Sequence, residues 1–275
     1  MEIKFTDPQI QRLREYGDDP RDESVFANEA DRDATFTKMM SELMSRNERG
    51  IKAFISKPIK HRLVGLEEQI ARALIAEGFI EVRTPIFSSK SSLAKMTITD
   101  DHPLYRQMFA VDDKRFLRPM LAPNLYYVMR KLRDHTDGPV KIFEIGSCFR
   151  KESHSNDHLE EFTMLNLVDM GPEGDTIEKL KGYIGIVMNA VGIPDYKLVS
   201  EESDVYVETM DVMIGDEEVA SGAVGPMKLD PAFDIHEPWC GVGFGLERLI
   251  MLRDNDGSVK KTGRSLNYIN GYKIN

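Results

Sequence analysis

Two stretches of alternating character, Val140 to Glu152 and Glu161 to Met170, lie on either side of a short polar loop, Ser153 to His158. Successive side chains of a strand point to opposite faces, so two such runs joined so closely predict a long antiparallel hairpin. That feature excludes an all-helical chain and a purely parallel sheet. A second hairpin is predicted over Thr209 to Ile214 and Glu217 to Val224, turning at Gly215-Asp216. Leu63, Leu66, Ile70, Ala73 and Leu74 form one helical stripe, ended by Gly78 at the position where glycine closes helices. Phe79 to Arg83 reads as a strand stopped by Thr84-Pro85, and Pro123 opens a helix from 122 to about 135. A further helix is expected over Ile177 to Val191, and a glycine-spaced strand, Gly241 to Gly245, runs into a last helix from Leu246 to Leu252. Runs of strands with interspersed helices predict an α+β fold, an antiparallel sheet flanked by helices. Residues 1–60 read as short helices: one starts at Thr6-Asp7-Pro8, and a second carries Phe36, Met39, Met40 and Leu43 after the break at Asp18-Asp19-Pro20. The expected organisation is an N-terminal helical extension over 1–60 and an α+β domain over 61–275.

At 275 residues the chain can bury a substantial core without a disulfide or a structural metal. Cys148 and Cys240 fit no disulfide framework and no zinc spacing, which suits a reducing cytosol. The longest apolar candidate, Ile184 to Pro194, is about half of the ~20 residues a membrane helix needs. The N-terminus has no signal-peptide layout, so the expectation is a cytoplasmic protein with no membrane association. The formal net charge of −10 argues against indiscriminate nucleic-acid binding. It leaves room for local patches: Arg46, Arg49, Lys52, Lys57, Lys60 and Arg62 face a single acid, Glu48, and Lys260, Lys261 and Arg264 cluster near the C-terminus. By charge alone both read as solvated faces.

The first hairpin carries the most informative chemistry. Arg150 and Glu152 share one strand face, and Phe162, Met164, Asn166 and Val168 share a face of the returning strand. If even positions pair with even, all six line one surface. A guanidinium, a carboxylate, a ring and an amide suit an anionic, ring-bearing ligand, since arginine can hold a phosphate bidentately. Gly241, Gly243 and Gly245 allow close approach of a ligand or another backbone. Arg248 then falls in the first turn of the following helix, where peptide dipoles favour anions, and Glu247 beside it could cap or salt-bridge. The spacing is GxGxG, not the GxGxxG of dinucleotide folds, and no GxxxxGK[ST] loop is present. His154 and His158 sit in the hairpin loop, which favours nucleotide contact or solvent over zinc.

These residues resemble a known family. Phe149-Arg-Lys-Glu152 with His158-Leu-Glu-Glu-Phe162 is similar to motif 2 of class II aminoacyl-tRNA synthetases. Gly241-Val-Gly-Phe-Gly-Leu-Glu-Arg248 resembles their motif 3, and Gly78-Phe-Ile-Glu-Val-Arg-Thr-Pro85 their motif 1. Leu117 to Tyr126, Glu160 to Asn166 and Tyr268-Ile-Asn-Gly271 narrow the resemblance to the pyrrolysyl-tRNA synthetase family, over roughly residues 60–275. The first 60 or so resemble short members of that family without a separate N-terminal tRNA-binding domain.

The resemblance implies an enzyme, a ligase forming carbon–oxygen bonds, that activates pyrrolysine with ATP and Mg²⁺ and charges a pyrrolysine-specific suppressor tRNA as a homodimer. It implies catalytic roles for Arg150 and Arg248. ATP contacts would come from Arg150, Lys151, Glu152, His158, Leu159, Phe162, Glu218, Val219, Ser221, Gly245 and Arg248, with Glu218 and Ser221 holding ATP–Mg²⁺. Glu218 and Ser221 are three apart, which places them on opposite strand faces unless a bulge intervenes near Ser221-Gly222. The amino-acid pocket would comprise Ala122, Leu125, Tyr126, Met129, Asn166, Val168, Tyr206, Ser221, Ala223, Trp239 and Gly241. This wall has no charge to pair with an ammonium or an acid, so it suits a long apolar side chain with one amide, met by Asn166. Tyr206 resembles a mobile tyrosine that closes over substrate. Arg46, Arg49, Lys52, Lys57, Lys60, Lys260 and Lys261 are the expected tRNA contacts. Two alternatives stay open: a class II synthetase for another amino acid such as phenylalanine, and a non-catalytic RNA-binding paralogue.

Overall fold

The computed structural model describes residues 2–17, 24–151, 159–201 and 209–275. Helix α1 (Asp7–Glu15) begins with a capping box, the Thr6 hydroxyl accepting from Gln9 N while the Gln9 side chain accepts from Thr6 N. The next element is one long helix, α2 (Glu29–Ser56), where the sequence suggested short ones. No proline or glycine breaker interrupts 29–49, and the Asn28 side chain caps its start. Helix α3 (Arg62–Ala76) buries Leu63, Leu66, Ile70 and Leu74, and Gly78 follows it with φ 83°. Then come β1 (Ile80–Glu81), β2 (Phe87–Ser89), α4 (Lys90–Lys95), α5 (Pro103–Gln107), β3 (Arg115–Leu117) and α6 (Ala122–Arg133). The long hairpin is β4 (Val140–Phe149) and β5 (Glu161–Met170). Helix α7 (Thr176–Val191) leads to β6 (Lys197–Glu201), β7 (Thr209–Ile214), β8 (Glu217–Gly225), β9 (Trp239–Gly245), α8 (Leu246–Asp254), β10 (Tyr268–Ile269) and β11 (Tyr272–Lys273).

Seven strands form one sheet in the order β1-β4-β5-β9-β8-β7-β6, antiparallel except for the β1–β4 edge. The α+β expectation holds. One face carries Phe143, Ile145, Leu165, Leu167, Val242 and Phe244 and is covered by α3, α7 and α8, which make the main core. The other face packs against α6 around Leu125, Tyr126, Met129, Ile142, Val168 and Trp239. Both cysteines are free and buried, and burial pushes each thiol up to about 12, so neither is a reactive group.

The N-terminal helices have a small core of their own, Phe5, Leu13, Met40 and Leu43. The C-terminal β10–β11 hairpin fastens them to the rest. The Asn47 amide accepts from Lys273 N (2.9 Å) and donates to its carbonyl (2.8 Å), while Lys273 Nζ pairs with Glu15 at 2.6 Å. A side chain at position 50 would collide with the Tyr272 ring, so glycine there lets α2 lie against the hairpin. Among the described residues no helix is long and apolar enough to cross a membrane.

Candidate active site

The floor of the site is built from three neighbouring strands. Pairing in β4–β5 runs even to even, Cys148 with Phe162 and Gly146 with Met164, and Arg150 N donates to the Glu160 carbonyl at 3.0 Å. Opposite residues in an antiparallel pair share a face, so Arg150, Phe162, Met164, Asn166 and Val168 lie on one surface. The rows continue across the sheet: Val168, Gly241 and Ala223 are in register, as are Asn166, Gly243 and Ser221. Two of the glycines have specific reasons. A Cβ at 241 would lie 2.8 Å from the Leu167 carbonyl oxygen, and one at 243 would press on the Asn166 amide and the Met164 methyl.

A bulge does bring Glu218 and Ser221 together, but at Val219 and not at Ser221-Gly222. Val212 pairs with Ala220 while Met213 pairs with Glu218, which leaves Val219 as the extra residue. Val219 and Ala220 consequently both join the core cluster, and the exposed Glu218 and Ser221 on either side of them border the second chamber along with them. The register slips there because two adjacent apolar residues both gain burial.

Two chambers open on this floor. The first, about 390 Å³, is bounded by Ala122, Leu125, Tyr126 and Met129 of α6 and by Asn166, Val168, Ser221, Ala223, Trp239 and Gly241. The second, about 380 Å³, is lined by Arg150, Leu159, Phe162, Glu218, Val219, Ser221, Gly245, Glu247 and Arg248. Met120, Ala122, Asn166, Ser221 and Gly243 line both, so the chambers adjoin at that point.

In the second chamber the Arg150 guanidinium lies 5.2 Å over the Phe162 ring, and its Nε donates to the Pro119 carbonyl at 2.9 Å. Arg248 donates to the Glu218 carbonyl at 2.7 Å, which holds it beside the bulge. Lys151 is exposed, its ammonium 5.6 Å over the Phe109 ring. Of the two expected roles for Glu247, the ion pair forms, a long one to Arg264. Glu247 is 3% exposed, both carboxylate oxygens take the Thr163 N–H at 2.9 Å, and Arg264 stands 4.0 Å away. Desolvation raises its pKa to about 7. Glu152, His154, His158 and Tyr206 lie outside the described residues.

The first chamber is apolar with few polar groups. Its aromatic wall is oriented by a residue that sequence reading missed. Asp230 is fully buried and accepts from Tyr126 Oη (3.0 Å), Trp239 Nε1 (2.7 Å) and Met227 N (2.6 Å). Nothing in Asp230-Pro231 marks that carboxylate as buried; the sequence reads as an ordinary turn start. The wall facing the cavity therefore stays uncharged. The Asn166 amide makes no hydrogen bond to any described residue, so it is available to a ligand. Met96, Thr97, Ile98, His102 and Leu104, from the α4–α5 segment, also line this chamber and had no signal in the sequence.

Comparison with known proteins is decisive at this point. Residues 54–244 match the family model of the phenylalanyl tRNA synthetase beta chain CLM domain. The solved structure of a pyrrolysyl-tRNA synthetase from Desulfitobacterium hafniense superposes with a TM-score of 0.93 at 45% identity, covering 100% of this chain and 99% of that one. The chain belongs to the pyrrolysyl-tRNA synthetase family. A second structure, Desulfitobacterium hafniense PylSc, gives 0.91 and 43%, covering 99% of this chain and 98% of that one. More distant similarity reaches O-phosphoserine–tRNA(Cys) ligase of Methanococcus maripaludis, 24% identical over 183 residues, and histidine–tRNA ligase of Solibacter usitatus, 25% over 139. These alignments cover 62% and 48% of this chain and 34% of each ligase, about a third of their length.

Within this member of the pyrrolysyl-tRNA synthetase family, motif 1 and motif 2 meet through buried charge. Arg118 and Glu144 pair at 2.7 Å, 2% and 1% exposed. Glu144 also accepts from Thr84 N (3.0 Å) and Thr84 Oγ1 (2.7 Å), and Arg118 Nε donates to the Ser147 carbonyl at 2.8 Å. The Phe149 N–H donates to the Arg118 carbonyl at 2.9 Å, and the next carbonyl, of Pro119, receives Arg150. The network thus fixes the backbone from which Arg150 is held.

The basic patches divide. Arg46, Arg49, Lys52, Lys57 and Lys60 are exposed, with Lys52 paired to Glu48 and Lys60 to Glu68 at 2.6 Å. Arg62 is turned inward, 2.7 Å from both Asp254 and Asp256, and Arg264 donates to Thr163 Oγ1 at 2.9 Å. Lys260 is half-buried. Lys261 is 2% exposed and cannot meet a nucleic-acid backbone in this conformation; its position beside Gly17 under the N-terminal helices explains the burial.

Proposed function

We propose that this protein activates pyrrolysine with ATP and esterifies it to a pyrrolysine-specific suppressor tRNA. The observation that carries the reading is the junction of the two chambers at Asn166, Ser221 and Gly243, one apolar and sized for a long side chain, the other lined by two arginines and a ring. Adenine stacks on Phe162, and the α-phosphate is held by Arg150, with Arg248 on the far side. Glu152, His158, Lys151, Leu159, Val219 and Gly245 complete the nucleotide contacts. The amino-acid side chain lies along Ala122, Leu125, Tyr126, Met129, Val168, Ala223 and Trp239, Asn166 takes its amide, and Tyr206 closes over it.

The substrate carboxylate attacks the α-phosphorus, a carboxylate–phosphorus bond forms, and pyrophosphate leaves. A tRNA terminal 3′-hydroxyl then attacks the aminoacyl carbonyl, and AMP leaves. No covalent nucleophile is needed: the arginines orient the reactants and spread negative charge. Glu218 and Ser221 offer hard oxygen donors of the kind that would hold Mg²⁺, and the ion would supply charge neutralisation when bound. The exposed cations Arg46, Arg49, Lys52, Lys57 and Lys60, with Lys260, face the tRNA backbone; residues 1–60 act as the tRNA-contacting extension of a catalytic domain over 61–275. Ile80, Ile86 and Phe87 are exposed in and after motif 1 and suit a homodimer contact. A cytoplasmic site of action is part of this reading. ATP–pyrophosphate exchange across amino acids tests it: exchange confined to pyrrolysine-like lysine derivatives supports it, and exchange with phenylalanine overturns the substrate.

A further inference from the structure

The C-terminal segment after α8 reaches back to the strand that carries the ring of the nucleotide chamber. Phe162 lines the second chamber, and side chains alternate along β5, so Glu161 and Thr163 on either side of it point to the opposite face. One guanidinium meets both neighbours. Arg264 Nη1 donates to Thr163 Oγ1 at 2.9 Å, and Arg264 Nε stands 3.3 Å from Glu161 Oε1. The same Glu161 oxygen accepts from Ser147 Oγ at 3.0 Å, which ties it to β4. Thr163 N in turn donates to the buried Glu247, the residue before Arg248.

The segment leading to Arg264 is fixed from both sides. A Cβ at position 263 would lie 2.6 Å from Leu159 Cδ1 and 3.4 Å from Glu247 Cγ, so glycine lets the chain lie against both without displacing Leu159, which itself lines the chamber. Thr262 is 1% exposed and its Oγ1 donates to the Glu247 carbonyl at 3.0 Å, while Arg62 Nη2 donates to the Lys261 carbonyl at 3.3 Å. The Arg264 and Glu161 side chains are 44% and 41% exposed, so their pairing adds little to global stability, and its effect is local to β5 at Phe162. We propose that Arg264 is a positioning residue for ATP. By holding Glu161 and Thr163 it fixes the backbone from which Phe162 meets the adenine ring, and through Glu247 it sets that backbone against motif 3. The proposal rests on the nucleotide reading of the second chamber.

The test is ATP–pyrophosphate exchange by the full-length protein and its R264Q, R264K, F162A and F162A/R264Q variants, with melting temperatures measured alongside. R264Q should raise KM for ATP by ~10-fold, with kcat within ~3-fold and KM for pyrrolysine within ~2-fold. Its melting temperature should stay within ~3 °C, since only a surface pair is lost. R264K keeps the charge but lacks the fork that reaches both neighbours, so its KM for ATP should fall between the two. If Arg264 acts through Phe162, adding R264Q to F162A should raise KM for ATP by less than ~2-fold more. An unchanged KM for ATP in R264Q, or an undiminished rise in the F162A background, would overturn the proposal. So would equal rises for ATP and pyrrolysine accompanied by a lower melting temperature, which would mark a general structural role. A normal KM for ATP in F162A would instead overturn the nucleotide reading of the second chamber, and the proposal with it.

Discussion

Glu247→Gln should make the protein more stable above neutral pH and leave it unchanged in mild acid. Glu247 lies 3% exposed beneath the nucleotide chamber, and desolvation raises its pKa from the ordinary 4.5 to about 7. Between those values the unfolded chain has released a proton that the folded protein still holds, so this group's contribution makes stability fall as pH rises. The fall begins above pH 4.5 and is complete above about pH 7. The gap from 4.5 to about 7, at ~1.36 kcal/mol per pH unit, amounts to about 3 kcal/mol. Glutamine retains the acceptor for Thr163 N and never ionises. Urea denaturation of both proteins at several values between about pH 5 and 8 isolates the term as a difference curve, free of every other titrating group. That curve should climb by ~2–3 kcal/mol over the range, ~6 °C or more in melting temperature for a chain of this size. A flat curve would mean that Arg264, 4.0 Å away, already holds Glu247 charged in the fold, and the desolvation argument would fail.

Further consequences follow from the same packing. Arg118→Met leaves Glu144 charged and 1% exposed, and should cost ~3–5 kcal/mol in urea denaturation, with much of it returned by Arg118→Met/Glu144→Leu; a single-variant cost under ~1 kcal/mol would contradict the buried network. Charge reversal at Lys52 and Lys57 should weaken tRNA binding and flatten the slope of log K against log salt by about 1–2, because both are exposed and the surface pairing of Lys52 with Glu48 offers little competition to phosphate. Binding unchanged across a salt titration would remove this face from the tRNA contact.

How far the sequence carries the structure depends on which forces acted locally. Period-two alternation set the β4–β5 register, because a slip of one residue would turn Leu165 and Leu167 out of the core. The α6 stripe was legible for the same reason: Leu125, Tyr126 and Met129 bury one face. The bulge was legible as a need and not as a place, since Val219 and Ala220 both turn to the core only when packed against α7 and its neighbours. Three features depend on distant partners and left no local trace: Asp230 behind Tyr126 and Trp239, Lys261 under the N-terminal helices, and the α4–α5 wall with Thr97 at φ 62°. The length of α2 was not legible where residues 1–60 read as short helices; its contact with β11 lies far along the chain.

The central claim is that a carboxylate and an α-phosphate meet at the junction of the two chambers, with Asn166 choosing the side chain. ATP–pyrophosphate exchange with the twenty standard amino acids, pyrrolysine and an Nε-carbamoyl lysine, run beside Asn166→Ala, tests it most directly. The account predicts exchange with the lysine derivatives alone, with selectivity altered by the substitution. Exchange with a standard amino acid, or none with any substrate in the folded protein supplied with Mg²⁺, would contradict it.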